Sequence, residues 1–171
     1  MKFVRYEVNG RSPQVGLVQE DRVYDLSAIA PSMQTVIALS ADGLAIVQQR
    51  AAKVKGAPLA DVKLHTPLLP RRNVMCLGLN YAEHAHESLV AQGQAVTLPE
   101  QPIVFTKATT AVSGPTDPIP FDPQVSDKID WEVELAVIIG QQGKNIPAEQ
   151  AMEHVFGYTV LNDISARDLQ R

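Results

Sequence analysis

Asp130-Trp131-Glu132-Val133-Glu134-Leu135-Ala136-Val137-Ile138-Ile139 alternates charged and apolar residues as far as Leu135 and then continues apolar. Side chains of a β-strand repeat with a period of two, so Glu132 and Glu134 share one face, about 6 to 7 Å apart along the strand. Trp131, Val133, Leu135 and Val137 point the other way. Carboxylates at that separation repel by about 2 to 3 kcal/mol at an effective dielectric of about 20, so a half-buried pair calls for a cation or a raised pKa. The same alternation also reads as the solvated outer face of an amphipathic strand.

Downstream, Gly157 to Asn162 reads as a second strand, with Asp163 standing where it stops. Ser165 followed three residues later by Asp168 fits a capping box and predicts a helix starting near Ala166. On that helix Arg167 and Gln170 lie three apart and share a face, an arginine and an amide able to floor a pocket for an oxyacid. Upstream, Gly78-Leu79-Asn80-Tyr81-Ala82-Glu83-His84-Ala85-His86-Glu87 leaves a strand expected over 74–79 and enters a helix expected over 81–92. His84 and Glu87 share a face of that helix, and a carboxylate bonded to an imidazole raises its basicity, as a general base acting on water requires. A surface helix with an incidental ion pair is the other reading. Zinc at His84 and His86 is disfavoured, because positions i and i+2 on a helix do not converge on one ion.

Working outward, residues 2–8, 14–19 and 22–26 read as a small β meander joined by Asn9-Gly10 and Glu20-Asp21. Val36, Leu39, Leu44, Ile46 and Val47 predict one or two helices between residues 32 and 55. Pro58, Pro67 and Pro70, ahead of Arg71-Arg72-Asn73, interrupt both patterns and place a boundary near residue 65. Residues 1–65 are thus expected to form a small N-terminal α+β domain, and residues 66–171 the start of a larger one. A Gln/Gly/Pro loop reaching Pro102 has the composition of a lid, and a short helix is expected after Pro147.

The 15 basic residues form no block, and the net charge of −4 gives no reason to expect a nucleic-acid partner. Cys76 is the only cysteine, which excludes an internal disulfide and makes a reducing, cytoplasmic setting the expectation. Met1 to Glu7 alternates apolar and charged residues and lacks the continuous apolar core of a secretory signal. The apolar run 135–139 is far too short to span a bilayer, so no membrane partner is expected.

At these residues the chain resembles the fumarylacetoacetate hydrolase family, most closely its bacterial, acylpyruvase-like branch. The stretches that carry the resemblance are Cys76 to His84, Pro102-Ile103-Val104-Phe105-Thr106-Lys107, Asp130 to Leu135, and Phe156 to Gln170, in that order. They cover the chain from about residue 70 onward, while the part before His65 is similar to the smaller, variable N-terminal domain of many members. The resemblance implies a mainly β fold with flanking helices (α+β), a β roll preceded by the small domain, and a homodimeric whole protein. It implies that Glu132, Glu134 and Asp163 ligate Mg²⁺ or Mn²⁺, that His84 and Glu87 activate water, and that Lys107, Arg167 and Gln170 line the substrate pocket. Three carboxylates offer only oxygen, which suits a hard cation that keeps waters and leaves room for a bidentate ligand.

The family's roll implies further strands and a pocket lysine after Arg171, so the chain is expected to represent an incomplete roll with an uncovered apolar face. The implied reaction is metal-dependent hydrolysis of a C–C bond in a small anionic 1,3-diketo or 2-oxo acid through an enolate. The alternatives are an isomerase or decarboxylase acting on a hydroxymuconate-type intermediate of aromatic degradation, and a non-catalytic metal-binding module.

Overall fold

A computed structural model of the chain describes residues 1–83, 86, 90, 93 and 100–170. Its N-terminal part is a five-stranded antiparallel sheet built from β1 (Lys2–Glu7), β2 (Gln14–Gln19), β3 (Arg22–Asp25), β4 (Ala57–Pro58) and β5 (Lys63–His65), in the order β4-β3-β2-β1-β5. Asn9 and Gly10, with φ of 52° and 72°, make the tight turn between β1 and β2, and the Arg11 amide donates to the Val8 carbonyl at 3.2 Å. Asn and Gly tolerate this left-handed backbone, whose twist suits a hairpin.

Between β3 and β4 lie α1 (Met33–Ile37) and α2 (Ala41–Ala51), the helices expected from the apolar spacing. Each starts on a serine whose hydroxyl accepts from a backbone amide in the first turn: Ser32 from Thr35 at 3.1 Å and Ser40 from Gly43 at 3.2 Å. Val36, Val47 and Ala51 are buried together with Leu17, Val23, Leu26 and Met33, so the apolar core among the described residues lies in this N-terminal part. Gly16 is required there by close approach. A Cβ added to it would meet Val23 at 2.5 Å and the Tyr6 ring at 2.8 Å. Arg5 closes the far side by donating to the Thr66 carbonyl at 3.0 Å.

The chain divides into two compact units, Met1–Pro67 with Pro115–Arg171, and Leu68–Gly114. The second contains an antiparallel hairpin of β6 (Val74–Gly78) and β7 (Ile103–Lys107), in register from Val74↔Lys107 to Gly78↔Ile103. Immediately after β6, Leu79 takes a φ of 51°, a left-handed conformation that costs a branched residue about 1 to 2 kcal/mol and turns the chain out of the strand. The helix expected over 81–92 falls largely outside the described residues.

The first unit also holds a long two-stranded ribbon of β8 (Ile129–Ile139) and β9 (Val155–Ala166). A 3₁₀-helix over Ala148–His154 follows Pro147, where a short helix was expected. The ribbon runs in register from Ile129↔Ala166 to Ile138↔Gly157, then shifts by a bulge so that Ile139 faces Val155. Within this unit the Phe3 and Phe156 rings approach to 6.1 Å. The fold is mainly β with few helices, as the sequence predicts, and no helix among the described residues is long and apolar enough to cross a membrane.

One local expectation fails. β9 continues through Asp163 to Ala166, past the strand end expected at Asp163, and residues 167–169 form a turn in which the Leu169 and Gln170 amides donate to the Ala166 carbonyl at 3.0 and 3.1 Å. Ser165 is used as a strand residue opposite Asp130, and Asp168 accepts from the Ser126 hydroxyl at 2.6 Å. A contact from 42 residues away therefore takes the carboxylate that the capping box would have used.

Candidate functional site

The register of the ribbon decides which polar groups meet. Glu132 lies directly opposite Asp163, and Asp130 opposite Ser165. Glu134, two residues along β8, is diagonal to Asp163 on the same face. Directly opposite side chains have Cβ atoms about 4.5 to 5.5 Å apart and diagonal ones about 7 to 8 Å. Asp130, Glu132, Glu134 and Asp163 thus form a patch of carboxylates on one face of two strands, and Asp163, only 8% exposed, is one of the buried polar residues of the chain.

Arg167, one residue past β9, folds back over this patch. Its amide donates to the Lys128 carbonyl at 2.9 Å, which carries the ribbon pairing into the turn. Its Nε donates to Asp130 Oδ2 at 2.9 Å and its Nη1 to Gln170 Oε1 at 2.8 Å. Nη2 reaches Asp130 Oδ2 at 2.9 Å and Glu132 Oε1 at 2.7 Å. The guanidinium, helped by the Trp131 amide, holds the Asp130 carboxyl below the usual carboxylate range. The bond to Glu132, more than the one to Asp130, holds Arg167 in its charged form above its ordinary value. Ser126 braces the turn from beneath: it donates to Asp168 and accepts from the Lys128 amide at 3.1 Å.

The sequence-predicted residues are therefore distributed as follows. Glu132, Glu134, Asp163, Arg167 and Gln170 come together on or beside the ribbon. Lys107 ends β7 in the other unit. His84 and Glu87 lie outside the described residues. Among the described residues no group of three His, Cys, Asp or Glu side chains stands in a metal-ligating array, and the Glu132 carboxylate is engaged by Arg167. The donor set still fits a hard divalent cation: it is all oxygen, it rises from one face, and strand pairing fixes its spacing, leaving side-chain torsions as the adjustment.

Asp130 and Ser126 were not singled out from the sequence. Asp130 carries a signal that period-two spacing offers, since it precedes Glu132 by two and extends the carboxylate row. Ser126 carries none, because its role rests on a contact across 42 residues. An open apolar cleft of about 280 Å³, lined by Phe121, Val125, Ile129 and Ala166, takes in the residues at the foot of the ribbon that alternate with the carboxylate row.

The pattern described as fumarylacetoacetate (FAA) hydrolase C-terminal matches residues 73–171. An oxaloacetate tautomerase of Bacillus subtilis, YisK, is 37% identical over 192 residues, covering 100% of this chain and 62% of its own length. Among solved structures, a fumarylacetoacetate hydrolase from Exiguobacterium antarcticum is 36% identical with a TM-score of 0.72, covering 99% of this chain and 58% of its own. A maleylpyruvate hydrolase from Sphingobium sp. SYK-6, solved with manganese(II) and pyruvate, is 27% identical with a TM-score of 0.76, covering 98% of this chain and 60% of its own. The chain thus spans about three-fifths of the length of these relatives.

Proposed function

The chain belongs to the fumarylacetoacetate hydrolase family, and we propose that its carboxylate face is the floor of a metal site that enolises a small 2-oxo acid in the whole protein. The observation that carries this reading is the pairing of Glu132 with Asp163, with Glu134 beside them, at the mouth of a turn that presents Arg167. Glu132, Glu134 and Asp163 would hold Mg²⁺ or Mn²⁺, and such an ion, when bound, supplies Lewis-acid polarisation of a 2-oxo group.

The chain's own residues supply orientation and proton handling. Arg167 offers a planar fork of N–H donors, which suits bidentate recognition of a substrate carboxylate. Gln170 fixes one edge of that fork through Nη1. By the family resemblance, Lys107 would be a further substrate-binding residue of the whole protein. By the same resemblance, His84 and Glu87 would take the proton that leaves either the substrate carbon or an attacking water.

Which of these protons is removed separates two outcomes. Loss of a carbon proton and its return at oxygen gives keto–enol tautomerisation, a reading favoured by 37% identity to an oxaloacetate tautomerase. Loss of a water proton gives hydrolysis of a C–C bond in an acylpyruvate-type substrate, a reading favoured by the maleylpyruvate hydrolase structure and by the His84/Glu87 spacing. Assays of the whole protein with Mn²⁺ on oxaloacetate and on an acylpyruvate decide between them. Activity on either that disappears in Glu132→Gln and Asp163→Asn supports the site. Turnover that survives both substitutions would remove the ribbon from the chemistry.

A further inference from the structure

Glu132 is claimed twice. In the reading above it is a cation ligand, and in the structure its Oε1 receives Arg167 Nη2 at 2.7 Å. Two positive groups directed at one carboxylate oppose each other, since each weakens what the carboxylate can donate to the other. Arg167 does not depend on Glu132 alone. Asp130, on the same face two residues earlier, takes both Nε and Nη2, and Gln170 takes Nη1. The Ser126–Asp168 bond and the Arg167 amide bond to Lys128 fix the turn from which the side chain projects.

We propose that Arg167 is an internal counter-cation of the carboxylate face, competing with the divalent ion for Glu132, and that Asp130 is the positioning residue that retains the guanidinium when the ion arrives. The inference rests on the metal-site reading of Glu132, Glu134 and Asp163. It gives the site a binding order. Before the ion binds, Arg167 screens the crowded carboxylates. Once the ion takes Glu132, Nη2 loses a partner and one N–H turns to an incoming carboxylate, so the cation precedes the oxo acid.

The test is titration of the whole protein with Mn²⁺, following the free-ion paramagnetic resonance signal, with circular dichroism and melting as folding controls. Arg167→Ala is expected to tighten Mn²⁺ binding roughly two- to fivefold, the range that a partly exposed ion pair represents. Arg167→Lys, which cannot bridge Asp130 and Glu132 together, should fall between the two. Asp130→Asn should weaken Mn²⁺ binding in the wild-type background and do so much less beside Arg167→Ala, because its effect runs through the arginine. Unchanged or weaker Mn²⁺ binding in Arg167→Ala overturns the competition. An equal effect of Asp130→Asn in both backgrounds overturns its positioning role. Glu132→Gln separates the levels: if it lowers Mn²⁺ affinity while Arg167→Ala does nothing, only this inference is lost, whereas unchanged affinity in Glu132→Gln removes the metal-site reading and the inference with it.

Discussion

The N-terminal sheet and the β8–β9 ribbon are both antiparallel, both alternate apolar residues, and meet opposite fates. In the sheet Leu17 and Val23 are each 1% exposed, and Val36 and Val47 of the helices are sealed. In the ribbon Trp131 and Val133 stand 74% and 81% exposed, with Leu135 and Val160 also open to solvent. Alternation therefore decides only which side chains share a face. Burial follows where another element lies over that face, and the hydrophobic contribution scales with the area it covers.

The comparison breaks most sharply under truncation of the same kind of residue in each region. Leu17→Ala should cost about 2 to 5 kcal/mol through lost burial and a residual cavity, whereas Val133→Ala should stay within about 0.5 kcal/mol. Urea midpoints of the two variants measure the contrast directly. Comparable losses at both positions would mean that the ribbon face is covered in solution.

A smaller effect of opposite origin is expected from Gly16→Ala, which adds volume where Val23 and Tyr6 already crowd the backbone. Overpacking of this kind costs about 1 to 3 kcal/mol, and thermal melting of the variant reads it. No loss would show that the sheet can spread locally to admit a methyl group.

Trp131 is the only tryptophan, so its fluorescence reports on the ribbon alone. Acrylamide should quench it nearly as well in the folded chain as in urea, and an emission blue shift with rising protein concentration would reveal association through this face. A folded-state emission that is blue-shifted and protected even at high dilution runs against an open ribbon face.

The smallest effect belongs to Tyr6. Burial, and then the nearby Asp25 charge, raise its hydroxyl above the ordinary value of 10.0. A raised pKa means that the folded state holds the proton more tightly, so the contribution is intact below pH 10 and is lost as pH rises through the folded value. Denaturation midpoints between neutral pH and the alkaline limit should decline less in Tyr6→Phe than in the wild type. Identical slopes would place the alkaline loss elsewhere.

Much of the fold was legible because its signals are local. The period of two in Lys2–Glu7 and Ile129–Ile139, the Asn9-Gly10 turn and the apolar spacing from Val36 to Val47 each act over a few residues. The sharing of one face by Glu132 and Glu134 followed from the same period. The expected strand end at Asp163 was not met, because β9 pairs on to Ala166, and among the described residues the helix expected from there is present only as a turn closed by the Leu169 and Gln170 amides on the Ala166 carbonyl. The three-residue spacing of Arg167 and Gln170 brings them near each other, but their direct bond, and the grip of Asp130 on the arginine, belong to the folded turn.

Sequence alone determined the family, the mainly β character, and the membership of Glu132 and Glu134 in one carboxylate face, because residue type and strand period settle these without distant contacts. Tertiary structure decided that Asp163 stands opposite Glu132, that Arg167 closes on Glu132 and Asp130, and that the apolar side of the ribbon is open while that of the N-terminal sheet is sealed. Each of these depends on register or coverage between segments far apart in the chain, and a periodic pattern carries no information about which partner it will meet.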